Sequence, residues 1–357
     1  MNNNDKGITC LVLILLLILL STNATSLSAH EQYLREAAKY RFELDNDAFA
    51  GSDNQFSSGW SFQYHSAVAD NWSTLKTPVS WLIRSGDDLP GLQHPKLKKR
   101  FNVAVGQIIQ TPDKLKEHDR IKDDVPYAAI IATQSTWLAF DNDEFQGYEL
   151  IFGIVGPWAL GRQAQNFVHN LQGIKTAKGW NNQLNTEPVL NVNIMRKKKF
   201  YQHHNASGLS WDATLDGHAA LGTMFTLAAL RLEARFGRNM PGGFSYFPDP
   251  IGHSMIYDAS LNPPDLGKAS LYVTASASTV AIAHNILLDG TVFRNSQTPV
   301  DKEPYLFMST IGLHYETKNW GIHMDMTLTT DTVETSGLSS AEDADNTFGT
   351  FMFEWKL

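Results

Sequence analysis

The final segment of the chain is the feature that most constrains the fold. Its large apolar side chains fall on every second residue: Phe351, Phe353, Trp355 and Leu357. The residues between them are Met352, Glu354 and Lys356. Strict alternation of this kind is typical of a β-strand with one apolar face. A soluble β-sandwich and a membrane-spanning β-barrel both produce it, so other observations must separate the two.

The same alternation recurs in the segments 60–65, 271–281 and 322–329. Beyond residue 30, no apolar run approaches the roughly 20 residues that a membrane-spanning helix needs. Lipid offers the backbone no hydrogen-bonding partner, so the remaining way to cross a membrane is a closed barrel. The sequence signature of such a barrel is segments of about ten residues with alternating hydrophobicity, separated by turns.

We therefore predict an all-β fold, an antiparallel transmembrane β-barrel of about twelve strands, and an even number is typical of bacterial single-chain barrels. An alternating aromatic strand at the C-terminus is also what outer-membrane barrels present to the barrel assembly machinery, which we expect as a partner. The predicted strands are 38–46, 57–68, 100–110, 127–140, 145–156, 186–197, 211–222, 226–237, 268–281, 305–317, 320–331 and 347–357.

The first thirty residues differ in composition from the rest. A nearly aliphatic run over 8–20 follows a short polar start with one lysine, and small and polar residues come next. This layout predicts a signal peptide over 1–29, with cleavage between 24 and 29, in front of a barrel over 30–357. Cys10, the single cysteine, lies in that signal. The mature chain would therefore have no disulfide and no thiolate nucleophile.

Charge and strand order give two further expectations. The formal net charge of −8 argues against nucleic acid as a partner, because such binding needs a basic surface. If the N-terminus starts in the periplasm, the connections after odd-numbered strands face outward, and three stretches with candidate functional residues meet at one rim. The basic runs 96–100 and 196–199 fall at the inner side, where we interpret them as solvated turns. The outward connections are 47–56, 111–126, 157–185, 223–225, 282–304 and 332–346.

The first stretch ends the predicted strand 38–46 with two oxygen-bearing side chains. Asn46 and Asp47 are donors of the kind that a hard cation such as calcium prefers. Asn and Asp are also common in ordinary polar turns, and the pair alone favours a turn.

The second stretch is a basic loop between Thr111 and Tyr127. On an outer rim, its cations would meet the phosphates of lipopolysaccharide. Acidic residues are interspersed, so a solvated charged loop is the alternative. The cations are Lys114, Lys116, Arg120 and Lys122.

The third stretch runs over 153–169. After the break at Gly156-Pro157 its spacing suits a helix, on which Gln165 and His169 share one face at positions i and i+4. A histidine held beside a cation can act as a general base toward water. The alternative is a structural histidine, which is the more common role of a lone histidine.

At these three places the sequence resembles the outer-membrane lipid A 3′-O-deacylase family. Stretches over 288–293 and 300–302 look like the C-terminal half of the family, so the resemblance spans nearly the whole mature chain. The matching elements are Asn46-Asp47, Phe56-Ser57-Ser58-Gly59, Thr111-Pro112, Pro126-Tyr127-Ala128, Gly156-Pro157, Gln165-Asn166, His169, Trp180 and Gln183.

The resemblance implies a twelve-stranded barrel in the outer membrane of a Gram-negative bacterium, with the active site facing the outer leaflet. It implies hydrolysis of the 3′-linked acyl (acyloxyacyl) ester of lipid A, with calcium as cofactor. His169 would activate water, while Asn46 and Asp47 would help to bind calcium, which would stabilise the oxyanion. Ser57 and Gln165 would occupy polar positions of the catalytic site. Two basic residues would contact the substrate: Lys114 and Lys116.

Two positions depart from the family pattern. The family has a glutamate six residues after the histidine, where this chain has Lys175, and Glu187 is a nearby candidate to replace it. Many members carry an arginine before the Pro-Tyr pair, where this chain has Val125. A lysine cannot ligate calcium as a carboxylate does. A catalytically degenerate barrel with a structural or pore role is therefore one alternative.

An outer-membrane phospholipase is a second alternative, since it would also act on lipid esters. Such an enzyme would need a serine nucleophile beside its base, and the chain contains no His-x-Ser. The adjacent pairs His65-Ser66 and His253-Ser254 would point their side chains to opposite sides of a strand.

Overall fold

The computed structural model describes residues 37–50, 56–75, 79–112, 115–120, 124–172, 176–205, 208–247, 257–294, 300–333 and 347–357. The predicted signal peptide over 1–29 lies outside these residues, so both the signal and its cleavage remain predictions. Among the described residues, no helix is both long enough and apolar enough to cross a membrane.

Strands dominate the described chain. They are β1 Lys39–Asn46, β2 Phe56–His65, β3 Lys98–Gln110, β4 Ala128–Phe140, β5 Glu144–Val155, β6 Glu187–His204, β7 Leu209–Gly222, β8 Phe225–Arg238, β9 Gly243–Phe247, β10 Tyr257–Ser260, β11 Ser270–Asn285, β12 Tyr305–Glu316, β13 Trp320–Thr329 and β14 Phe348–Lys356. The α-helices are α1 Ser80–Arg84, α2 Gly161–Gln172 and α3 Ile286–Asp289. Short 3-10 helices cover Asp47–Ala50, Trp72–Thr74, Ser85–Asp87, Pro157–Ala159 and Trp180–Asn182.

Twelve of the strands form a closed antiparallel barrel in the order β1-β14-β13-β12-β11-β8-β7-β6-β5-β4-β3-β2. The barrel closes where β1 pairs with β14, with Tyr40 opposite Trp355 and Asn46 opposite Gly349. The predicted fold is confirmed, and each predicted strand has a counterpart. β6 continues to His204, beyond its predicted end at residue 197.

Burial alternates along the strands as the sequence pattern predicts. In β6, β8 and β12 nearly every second residue is buried and the residues between are exposed. The exposed positions are mainly large and apolar, as with Leu230 and Leu232 of β8 and Ile311 of β12. An outward apolar face with an inward polar face is the arrangement of a barrel that spans a membrane.

The two ends of the barrel differ in their connections. We call the end where β1 begins and β14 ends the terminal end, and the opposite end the loop end. The loop end carries the segments 47–55, 111–127 and 156–186, in which the candidate functional residues lie. The convergence of the three stretches on one end of the barrel is thus as predicted.

A buried charge cluster fills the lumen near the terminal end. Asp258 of β10 is fully buried and forms an ion pair with Lys39, and with Arg100 at 3.2 Å and Arg41 at 3.4 Å. Glu354 lies 3.3 Å from both Lys39 and Arg41. Burial would raise the pKa of the Asp258 carboxyl, but Lys39, Arg100 and Arg41 hold that pKa well below its usual range. Asp258 therefore remains the anion that compensates the lumen cations.

The interpretation of the basic runs as solvated turns is correct for Lys96, which is exposed in a turn, and wrong for 98–100 and 196–199, which lie in β3 and β6. Arg100, Lys197 and Lys199 are buried inside the barrel because alternate residues of β3 and β6 point into the lumen. Lys197 pairs with Glu233 at 3.1 Å, and Lys199 pairs with Asp212 at 3.0 Å. These cations are structural partners of lumen carboxylates.

The β9–β10 hairpin is the element that the strand pattern did not predict. It lies in the connection 239–269 between β8 and β11 and pairs with no barrel strand. Its Asp258 reaches the cations of β1 and β3, so the connection folds back into the barrel. The hairpin closes the lumen at the terminal end.

Apolar residues close the lumen at the loop end. The helix α3 is entirely buried along Ile286, Leu287 and Leu288. Ile286 and Leu287 join a cluster with residues from β3 to β8, β11, β12 and β14. The side-chain amide of Gln110 in β3 donates to the Leu287 carbonyl at 3.0 Å. Packed at both ends, the barrel has the filled interior expected at this strand number, which argues against the pore alternative.

The charge cluster predicts a strong destabilisation when its shared anion is removed. Asp258→Ala would leave three buried cations short of a counter-charge, and breaking a buried ion pair costs about 3–5 kcal/mol. We expect the urea midpoint of unfolding in detergent to fall accordingly. Asp265→Ala in the same connection is the matched control, because the contacts of the Asp265 carboxylate, with Lys268 and with the Gly267 N–H, are both exposed. Equal midpoints for the two variants would contradict this account of the lumen.

Candidate active site

A helix lies against the outward face of the barrel wall at the loop end. The predicted break at Gly156-Pro157 is confirmed, since a 3-10 turn over Pro157–Ala159 follows β5 and α2 begins at Gly161. Gly156 has φ +93°, and a Cβ there would lie 2.6 Å from the backbone of Asn185, so the break needs glycine. We call residues 156–172 and 176–184 the helical cover.

The helical cover packs on lipid-facing positions of the wall. The helix α2 contacts β3 and β4. Ile109 and Ala129 occupy positions in β3 and β4 whose neighbours point into the lumen, and both are buried with Trp180 in one apolar cluster. The cover therefore lies outside the cylinder, and any site it forms opens toward the membrane.

A polar side chain of the wall secures the start of the cover. Gln107 of β3 accepts a hydrogen bond from the indole N–H of Trp60 at 3.0 Å. Its amide donates to the Ala159 carbonyl at 2.5 Å. An amide on the lipid-facing side is costly unless both of its groups are bonded, and here both are. A glutamine among the outward apolar residues of β3 is the sequence signal for this contact. The sequence analysis did not identify it.

Gln165 holds the middle of α2 to the rest of the cover. Its side-chain oxygen accepts a hydrogen bond from the indole N–H of Trp180 at 2.8 Å, and both residues are buried. Trp180 also contacts Tyr127, with 5.0 Å between the ring centroids. Burial raises the pKa of the Tyr127 phenol, with a smaller contribution in the same direction from Asp124. These contacts fix the helix on which His169 lies.

His169 lies one helical turn beyond Gln165 and is partly exposed. Positions i and i+4 share a helix face, so His169 projects from the same side of α2 as the anchored Gln165. The imidazole thus belongs to a helix that is fixed at the wall and remains accessible. Accessibility and a fixed position are both requirements of a general base that acts on water.

The other candidate residues meet at the loop end of β1 and β2. Asn46 ends β1 and lies opposite Ser58 of β2. Ser57 occupies the irregularity in register between Phe56 and Ser58, where β2 pairs with β3. Asp47 begins the 3-10 turn that follows β1 and is 7% exposed. Asn46, Asp47 and Ser57 are therefore neighbours along the rim, and β3 next to them carries part of the cover.

The basic loop is joined to the cover by backbone contacts. The Leu115 carbonyl accepts from Lys178 N–H at 2.9 Å, and the His118 carbonyl accepts from the Asn182 side chain at 2.8 Å. Lys116 lies between these contacts and is exposed. Its charge is therefore available beside the cover. Lys114 lies outside the described residues.

The structure describes one of the two residues that depart from the family pattern, Val125. Val125 is 2% exposed and packs with Leu288, Val300 and Val333, so it belongs to the apolar closure of the loop end. Lys175 lies outside the described residues.

The expectation that Glu187 replaces the family's glutamate is wrong. Its buried carboxylate accepts the backbone N–H groups of Val292, Phe293 and Arg294 at 2.7, 2.8 and 3.2 Å. It is committed to the segment that follows α3.

The two potential metal ligands at the loop end of β1 are of the chemical kind that calcium prefers. Asn46 supplies an amide oxygen and Asp47 a carboxylate, both of which are hard ligands. Among the described residues, no three His, Cys, Asp or Glu side chains gather in a metal-binding group. A site built on this one carboxylate would bind calcium weakly, since affinity rises with the number of charged ligands.

Fold and site together define a class, namely an outer-membrane β-barrel with a helical cover on its lipid-facing wall. The sequence profile of the family described as outer membrane protein LpxR matches residues 11–357. The chain belongs to this family.

One solved structure has the same fold as this chain. LpxR from Salmonella typhimurium superimposes with a TM-score of 0.68 at 13% identity, over 89% of this chain and 100% of that one. The translocator domain of the autotransporter NalP from Neisseria meningitidis gives a TM-score of 0.33 at 9% identity, over 95% and 91% of the two chains. No curated protein is significantly similar to the chain in sequence.

The contact between Gln165 and Trp180 predicts different effects for two substitutions. Gln165→Leu would leave the buried Trp180 N–H without an acceptor, and such a group costs about 1–3 kcal/mol. Gln165→Glu keeps an oxygen acceptor and should retain most of the stability. Urea unfolding followed by tryptophan fluorescence measures both. A Leu variant as stable as the Glu variant would mean that this hydrogen bond does not hold the cover.

Proposed function

We propose that this protein hydrolyses the 3′-linked acyl (acyloxyacyl) ester of lipid A in the outer leaflet of the outer membrane. The observation that carries the proposal is the position of α2, which lies on the lipid-facing wall and holds His169 at the loop end. A helix in this position is next to membrane lipid. We infer that the loop end faces the outside, where lipopolysaccharide is found.

The closed lumen supports a lipid substrate in preference to a soluble one. In the part of the chain that the structure describes, the β9–β10 hairpin and α3 occupy the two ends of the interior, which disfavours passage of a solute through the barrel. A lipid needs no such route, because it reaches the outer wall by diffusing within its leaflet.

The phospholipase alternative receives no support from its histidine–serine pairs. His65 is buried in the lumen, where its ring bonds to Gln63 at 3.0 Å. The Ser66 hydroxyl accepts the N–H of Phe101 at 3.0 Å and donates to the Ala67 carbonyl. The pair His253-Ser254 lies outside the described residues.

His169 is the base in the proposed reaction. It takes a proton from a water molecule, whose oxygen bonds to the ester carbonyl carbon. The bond from that carbon to the leaving alkoxide then breaks, and the alkoxide receives the proton from the imidazolium. The products are a free acyl chain and a lipid A with a hydroxyl group at the 3′ position. No covalent intermediate with the protein forms.

The remaining predicted residues have supporting roles. Gln165 positions the helix through Trp180, and Ser57 is a hydroxyl at the rim. Calcium, when bound, would supply positive charge near the developing oxyanion, and Asn46 and Asp47 would hold it. Lys116, together with Lys114, would bind the phosphates of the substrate.

Replacement of His169 gives the decisive prediction. A general base typically contributes 10²–10⁴-fold, so we expect His169→Ala to release acyl chains slower by about that factor. Mass spectrometry of lipid A from cells that make each variant measures the release. His94→Ala is the control, because His94 is exposed at the terminal end.

The three possible outcomes separate the hypotheses. Full activity of His169→Ala would reject this residue as the base. Unmodified lipid A in cells with the unaltered protein would favour a catalytically degenerate barrel. Loss of activity in His94→Ala as well would point to a folding defect.

The calcium proposal predicts a shift in metal requirement for a change at Asp47. Asp47→Ala removes the one carboxylate of the pair, so more calcium should be needed for half-maximal activity. The measurement is a calcium titration of deacylation after chelation. Asp119→Ala, which removes an exposed carboxylate of the same end, should leave the titration unchanged. Activity of the unaltered protein that is insensitive to chelation would contradict the calcium proposal.

A further inference from the structure

A ring of aromatic side chains marks the membrane boundary at the terminal end. Its members occupy matching register positions: Trp320 lies opposite Trp355, Trp355 opposite Tyr40, and Tyr40 opposite Tyr64. Tyr315 of β12 joins the ring through its contact with Trp320 at 5.5 Å between centroids. Outward aromatic side chains at one level form the interfacial girdle of a membrane barrel. The girdle covers β12, β13, β14, β1 and β2.

The girdle stops at β3. Tyr64 lies opposite Val103, and Val103 lies opposite Ser135 of β4, neither of which is aromatic. Closer to the terminal end, Phe101 and Trp137 point outward but are 1% and 5% exposed. They do not reach lipid because another part of the chain covers them.

That covering part consists of residues 69–75 and 79–97, which we call the foot. Its apolar side chains form one cluster with Phe101, Trp137 and Ala139 of the wall: Ala69, Trp72, Leu75, Ile83, Leu92 and Leu97. The indole N–H of Trp137 donates to the Leu82 carbonyl at 3.0 Å, and the Tyr148 hydroxyl donates to the Pro90 carbonyl at 3.0 Å. The foot is therefore a packed layer on the wall.

One large aromatic residue of the foot points away from this layer. Trp81 of α1 is 71% exposed, although its neighbours Leu82 and Ile83 face the wall cluster. Arg84 is also exposed, three residues further along α1. On a helix, positions i and i+3 share a face, so Trp81 and Arg84 project from the same side of α1. The Arg84 Nε–H donates to the Ser80 carbonyl at 3.4 Å, and the guanidinium remains exposed.

We propose that the foot is a membrane-interface element that binds glycerophospholipid in the leaflet at the terminal end. Trp81 continues the aromatic girdle across the sector where the strand residues at the girdle level, Val103, Ser135 and Leu150, are not aromatic. Tryptophan prefers the interface because its ring is apolar and its N–H finds partners among headgroups. Arg84 meets the lipid phosphates, for which a guanidinium is suited. This inference depends on the barrel lying in a membrane and not on the proposed hydrolysis.

Depth-dependent fluorescence quenching tests the proposal. The mature chain predicted here has no cysteine, so a bimane label can be attached at Trp81→Cys and, with Trp81 retained, at Arg84→Cys. Trp320→Cys is the girdle control. Lys318→Cys, in the exposed turn between β12 and β13, is the water control. Heat-modifiable migration on gels verifies that each variant is folded in vesicles of phosphatidylethanolamine and phosphatidylglycerol.

Brominated phospholipid quenches labels that lie in the membrane, whereas iodide quenches labels that are exposed to water. We expect brominated phospholipid to quench the labels at 81 and 84 to the same extent as the label at 320, and iodide to quench them less than the label at 318. Labels at 81 and 84 that respond like the label at 318 would place the foot in water and overturn the proposal. Deacylation activity does not enter this test, so its outcome is separate from that of the proposed function.

Discussion

The structure depends on a lumen in which charge is compensated within a closed cylinder. Three cations from β1 and β3 gather on the carboxylate of Asp258, and further pairs link β6, β7 and β8. Burying these charges is costly unless each has a partner, so the β9–β10 hairpin that supplies Asp258 is part of the barrel core. The candidate functional residues lie outside this interior, at the rim and on the outer wall.

The outer wall receives its functional helix through a small number of polar contacts. Gln107 and Gln165 each satisfy a buried indole or carbonyl group, with Trp60, Ala159 and Trp180 as partners. In a lipid environment such contacts have no competition from water, so they define where the helix lies. The partly exposed His169 and the rim of β1 and β2 lie at the same end of the barrel.

The sequence allowed the barrel strands to be predicted, since outward positions face lipid and must alternate with inward ones, and the strand order then placed the three candidate stretches at one end of the barrel. It did not reveal the β9–β10 hairpin, whose strands are short and have no lipid-facing side. The buried basic runs were misread because Lys197 and Lys199 look solvated until their partners on β7 and β8 are known. Glu187 was misassigned for the same reason, since its three backbone donors lie more than a hundred residues away in sequence.

The helical cover and the foot both lie on the sector that begins at β3. Between them, outward residues such as Thr133, Leu150 and Phe152 remain exposed. The barrel is therefore asymmetric around its axis. We call the sector that carries the cover and the foot the front, and the opposite sector the back. Under the proposed function, a lipid that arrives at the front meets α2 directly, whereas one that arrives at the back must diffuse around the circumference. The encounter would then be a two-dimensional search that ends on one side of the barrel, and a neighbouring protein that contacts the back would leave the front accessible.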